Sequence, residues 1–167
     1  MAVPQFRAGL RRRVPEPAEK AYLSALGHGG PAEGHLMTAW HAAYGRPSDP
    51  TKAWQYAAKA VEAALQPIVE PANPQARLGA MRSKILQGLH NFHCQLPLWD
   101  KGDAADPVEA FTQGLSRVIY EKGHHGADSE RPTDAQAQAV LAQAVTICEW
   151  IRIGIFTRAD ARTAPGQ

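Results

Sequence analysis

The segment PTKAWQYAAKAVEAALQPIVEP, residues 50–71, constrains the fold more than any other. Trp54, Ala57, Val61, Ala64, Leu65 and Ile68 recur at three- and four-residue spacing, which gathers them on one face of a helix; Ala53 and Ala60 widen that face. Alanine is also the residue that opposes helix formation least. A stripe this broad must be covered by other elements. Elsewhere in the chain, no segment alternates apolar and polar residues between turn signals, as a half-buried strand would. The expectation is an all-α fold, a helical bundle of about five to six helices. With 167 residues and 44% hydrophobic content, the chain can bury one sizeable core.

Punctuation along the chain divides it further. Residues 1–17 read as a flexible N-terminal arm: Arg11 to Arg13 form a charge run, and Pro15 and Pro17 follow. Residues 18–160 read as a single helical domain and residues 161–167 as a tail. A first helix is expected over 18–27, ending at Gly27, and a second over 31–44, with Leu36, Ala39, Trp40 and Ala43 on one face and a stop at Gly45. Asp49 or Ser48 can cap the third helix, with Pro50 at its first position, and Pro67 should end or kink it. Asn73 is a cap candidate for a fourth helix with Leu78, Met81, Ile85, Leu89 and Phe92 on its apolar face. A fifth is expected from Pro107 to Tyr120, through Val108, Phe111, Leu115 and Ile119. The last should start at Thr133 or Asp134 and run to about Thr157, with Ala139, Val140, Ala144, Ile147, Ile151 and Ile155 as its stripe. Trp40 and Trp54 lie in stripes and read as core, whereas Trp150 lies off its stripe and is available to a partner subunit.

Several function classes drop out. A formal net charge of +2 is too small to attract nucleic acid in bulk, so such a contact needs a local basic patch. Arg77, Arg82 and Lys84, with Lys101 and Lys122, are the candidates for that patch; a solvated helix face is the plainer reading. Cys94 and Cys148 form no CxxC pair and read as free, buried thiols of a reducing compartment. No stretch approaches the roughly 18 apolar residues that span a bilayer, and the N-terminus has no secretory pattern. The expected location is therefore cytoplasmic. His90, His93 and Cys94 carry metal-ligand spacing but lack a further nearby ligand pair, so no metal and no cofactor are expected. Serine-hydrolase, zinc-protease and dinucleotide motifs are absent from the sequence.

The remaining feature is RVIYEKGHHG, residues 117–126. Histidine titrates near neutral pH and can exchange a proton with a ribose hydroxyl or a leaving oxygen. Arginine grips phosphate with a fork of donors. From Arg117 to His124 is seven residues, which shares a face if the helix continues, and a turn can fold His124 or His125 back if it stops. The competing reading is a histidine that simply answers the last carbonyls of a helix.

The stretch Leu115 to Gly126, followed by an alanine-rich helix, resembles the arginine-x4-6-histidine signature of the HEPN superfamily and the related abortive-infection C-terminal domains. The segment AWHAAYGRPSDPTKAWQYAAKAVEAALQPIVEP, with the later RLG, is similar to an upstream part of such proteins. That resemblance spans about residues 36–157 and implies a HEPN-like helical homodimer, with metal-independent cleavage or binding of RNA in a phage-defence or toxin-type role. It assigns catalysis to Arg117 with His124 or His125, the latter because His125 precedes Gly126. Lys122, Arg82 and Tyr120 are the expected substrate-binding residues. The position after the arginine, commonly asparagine in the family, is Val118 here, which leaves one fewer polar group beside the phosphate. The alternative is a non-enzymatic helical protein–protein interaction module, such as a regulatory subunit or a phage protein binding a host factor.

Overall fold

In the computed structural model the described residues are 15–97, 106–120 and 131–160. They form six α-helices: α1 (Glu16–Ala25), α2 (Glu33–Tyr44), α3 (Pro50–Val69), α4 (Leu78–Gln87), α5 (Pro107–Ser116) and α6 (Asp134–Arg152). A 3-10 turn (Leu89–Asn91) and two short strands, β1 (Phe92–Cys94) and β2 (Phe156–Arg158), complete the list. The all-α expectation holds, with one addition: β1 and β2 pair antiparallel, with Phe92 opposite Arg158 and Cys94 opposite Phe156. No described helix is long and apolar enough to cross a membrane.

α3 is the centre of the bundle and makes its largest contacts with α2 and α6. Of the stripe read from the sequence, Ala53, Ala57, Ala60, Val61 and Leu65 have no exposed surface, as does Val69 outside it, while Trp54, Ala64 and Ile68 are partly buried against the same core. The same core holds Ala39 and Ala43 of α2 and Ala137 and Ala144 of α6. Small side chains at such contacts let helix axes approach closely. Trp40 and Trp54 are half-buried against this core, and Trp40 stacks on Tyr22 of α1 with ring centroids 4.0 Å apart. Trp150 is partly buried and also packs against the core.

The caps explain the helix starts. Asp49 accepts from the Lys52 amide at 3.0 Å. Thr133 and Gln136 form a reciprocal capping box at the start of α6. Asn73 does not cap α4; it accepts from the Gln75 amide within the preceding turn. The first amide of α4, that of Leu78, instead donates to Glu62 Oε1 of α3 at 2.9 Å. A carboxylate 16 residues away in sequence thus does the work of a local cap.

Several boundaries differ from the sequence reading: α1 already starts at Glu16, α4 ends at Gln87 with Leu89 in the 3-10 turn and Phe92 on β1, and α5 ends at Ser116. α3 runs through Pro67 to Val69. Pro67 is exposed, and the carbonyl it leaves without an amide, that of Ala63, lies one turn back on the same side, where solvent can serve it. α6 stops at Arg152, five residues before the expected end. Gly154 adopts φ +81°, its amide donates to Ile151, and the Ile155 amide donates to Trp150 at 2.8 Å. This is a glycine C-cap of the Schellman type, and it turns the chain back as β2. Ala139, placed on the expected stripe, is exposed, while Leu141, Val145 and Cys148 are buried.

A Cβ at Gly154 would meet nothing within 4 Å, so only backbone conformation opposes substitution. Gly154→Ala is expected to lower stability by about 1–2 kcal/mol with no change in fold. Urea unfolding measures it; an unchanged midpoint would mean the helix ends another way in solution.

Candidate functional site

α5 ends at Ser116, so Arg117 is the residue that leaves the helix rather than one of its last turns. The helix expected to reach Tyr120 does not, and the arrangement in which Arg117 and His124 share a continuous helical face is therefore excluded. Arg117 keeps near-helical backbone angles (φ −81°, ψ −17°), and its side chain is exposed. Among the described residues that side chain has no hydrogen-bond or ion-pair partner. Val118, the next residue, is wholly buried and belongs to the hydrophobic core. His124, His125 and Lys122 lie outside the described residues.

The exit of α5 is held from three sides. Carbonyls in and just after the last turns of α5 also accept from side chains of other helices. Arg82 Nε of α4 donates to the Thr112 carbonyl at 3.1 Å. Gln143 Nε2 of α6 donates to the Gly114 carbonyl at 3.1 Å. Trp54 Nε1 of α3 donates to the Val118 carbonyl at 3.1 Å, just past the helix end. The Trp54 ring also meets Tyr120 edge-on, with centroids 6.3 Å apart. Arg117 is thus presented to solvent by a backbone fixed on three helices, which is how a surface arginine acquires a defined position. Trp54→Phe keeps most of the packing and removes one donor. It is expected to lower stability by about 1 kcal/mol, read by chemical denaturation; no loss at all would show that the Val118 carbonyl does not depend on the indole.

Beside this exit lies a groove with a volume of about 760 Å³. Lys59 of α3, Arg77 at the head of α4, Arg82 and Ser83 of α4, and Ile119 and Tyr120 of the α5 exit are among its walls. Two of the expected substrate-binding residues, Arg82 and Tyr120, therefore share one groove. Arg117 is not part of its lining but lies two residues before Ile119, within about 7 Å along the chain. Because Arg82 is tied through Nε, its terminal N–H groups present a fixed fork rather than a sweeping one.

The proposed basic surface is only partly real. Lys84 pairs with Glu70 at 2.7 Å and is committed there. Arg77 lies 3.6 Å from Glu62, a long contact for a side chain 73% exposed. Lys59, which the sequence reading passed over, belongs to the groove and sits over the Tyr56 ring, 4.4 Å from its centroid. A signal for it existed: Tyr56 and Lys59 are three apart on a helix, the spacing that brings side chains together.

The other chemistry-bearing residues do not assemble. No group of three or more His, Cys, Asp or Glu among the described residues is placed to hold a metal. His90 lies in the exposed 3-10 turn, and His93 and Cys94, adjacent on β1, alternate in direction. Both cysteines are free and buried. Burial pushes the Cys148 thiol up to about 12 and also raises that of Cys94, so neither is a thiolate nucleophile near neutral pH.

No protein-family model matches this chain, and neither curated proteins nor solved structures provide a match.

Proposed function

We propose that this chain binds single-stranded RNA in the groove between α3, α4 and the α5 exit and cleaves it there without a metal. The observation that carries this is the meeting of Arg82, Lys59 and Tyr120 in one groove beside the fixed turn that bears Arg117. A cationic groove with an aromatic ring suits single strands: phosphates pair with the cations, and a base stacks on the ring. Arg117 holds the scissile phosphate and offsets charge as it builds on the phosphoryl oxygens. His124 or His125 accepts the proton of the ribose 2′-hydroxyl as that oxygen attacks phosphorus, and a protonated group returns one to the departing 5′-oxygen. The products are a 2′,3′-cyclic phosphate and a free 5′-hydroxyl. In line with the HEPN resemblance, the acting species is a homodimer in a phage-defence or toxin-type role.

The test is incubation of the protein with mixed RNA in EDTA. Cleavage that persists in chelator and leaves cyclic phosphate ends is expected. Tyr120→Ala should weaken RNA binding by about 1–3 kcal/mol, the usual worth of one stacked base. Intact RNA, together with no retention of RNA by the protein, refutes both halves of the reading.

A second reading, a non-enzymatic interaction module, is favoured by the exposed apolar side chains Leu23, Met37, Leu86 and Ile153. A monomer that neither binds nor cleaves RNA would support it.

A further inference from the structure

A second cavity, of about 490 Å³, lies further along α3 and is lined by His35, Gln66, Pro67 and Gln75, among others. It shares Lys59, Glu62 and Arg77 with the first groove. The two cavities therefore adjoin at a sill made by those three side chains. From Gln55 in the first to Pro67 in the second is twelve residues of one helix, about 18 Å. At about 3.4 Å per stacked nucleotide, that length accommodates roughly five nucleotides.

The sill is built to yield to an anion. Glu62 is held by the Leu78 amide through Oε1 at 2.9 Å, so its position does not depend on Arg77. Its contact with Arg77 is 3.6 Å long, and the Arg77 side of it is mostly exposed. A contact that long to a solvated guanidinium holds Arg77 only weakly. A phosphate arriving at the sill can take the Arg77 guanidinium with two short hydrogen bonds, a stronger arrangement than the one it replaces. Lys59, shared by both cavities, supplies a second cation at the same place.

We propose that the two cavities form one track for a single RNA strand, crossing the Lys59–Glu62–Arg77 sill with a phosphate bound there in exchange for the Glu62 contact. This rests on the RNA-binding reading above and adds the path, the length of the bound strand and the residue that opposes its passage. Each side of the sill does separate work. Arg82 and Tyr120 hold the first nucleotides, and the His35–Gln75 side holds those beyond.

Fluorescence anisotropy with labelled 2′-O-methyl oligouridines of three and eight nucleotides tests it, using the full chain. The 2′-O-methyl groups block cleavage, so binding alone is read. The eight-mer is expected to bind at least about tenfold more tightly than the three-mer. Gln75→Glu and His35→Glu should each weaken the eight-mer several-fold and leave the three-mer unchanged. Glu62→Gln keeps the acceptor for Leu78 and removes the competing charge. It should tighten the eight-mer by up to about fivefold, the release of a contact worth at most ~1 kcal/mol. Equal affinity for both lengths, with no response to these three variants, overturns the track, while Arg82- and Tyr120-dependent binding of the three-mer would leave the RNA reading standing. No binding at either length ends both. Displacement of the eight-mer by a polyglutamate peptide as readily as by unlabelled RNA also overturns the proposal, in favour of an acidic protein segment.

Discussion

Phe156→Ala should lower the unfolding free energy by about 3–5 kcal/mol, the range for removing a large aromatic from a packed core. Phe156 is wholly buried. Its ring stacks on Phe111 of α5 at 4.3 Å between centroids and on Phe92 of β1 at 5.5 Å. The residue therefore joins the chain after α6 to both the other strand and the helix that presents Arg117. Small domains are stable by about 5–15 kcal/mol in total, so this single truncation removes a large share. The internal control is Ile153, three residues earlier and 55% exposed. Ile153→Ala should change stability by no more than about 0.5 kcal/mol. Urea unfolding by circular dichroism decides it. A shift in midpoint at constant slope is expected; a Phe156→Ala loss below about 1.5 kcal/mol would mean the strand pair does not belong to the cooperative core.

Arg117→Ala should behave in the opposite way, leaving stability intact and abolishing cleavage. Its side chain is exposed and is not used by any described residue, so melting should not move beyond the scatter of surface substitutions. If Arg117 holds the phosphate during RNA cleavage, the rate should fall about 10²- to 10³-fold, as when one preorganised donor to developing charge is removed. Arg117→Lys restores the charge but not the forked geometry and should recover only part of the rate. Retained activity in Arg117→Ala, measured by release of cyclic-phosphate ends, would eliminate this arginine from the chemistry. Loss of activity with a matching loss of melting temperature would instead assign it to the fold.

Much of this site was legible residue by residue and not as an arrangement. Arg82 and Tyr120 could be named from the sequence, but 38 positions separate them. Only the packing of α4 on α5 and α3 places them in one groove. Lys84 looked equivalent to Arg82 in sequence, yet it is paired with Glu70. Lys59, passed over in the sequence, lines both cavities. The clamp on the α5 exit was hidden for the same reason. Trp54, Arg82 and Gln143 come from three helices, and each donates to a backbone carbonyl, a group that every residue carries and that no side-chain pattern can single out.

The sequence by itself determined what local periodicity and capping can specify. The alanine-rich face of α3, the narrowing of its cap to Ser48 or Asp49 and of the α6 start to Thr133 or Asp134, and the helical class follow from interactions within a few residues. Tertiary structure decided where helices stop against one another and what meets across them. It carried α3 through Pro67 because that proline faces solvent. It assigned the α4 cap to Glu62, 16 residues back along the chain. It also drew residues 153–157 out of the expected last helix: Gly154 closes the helix, and Phe156 is buried in the core, stacked on Phe92 and Phe111.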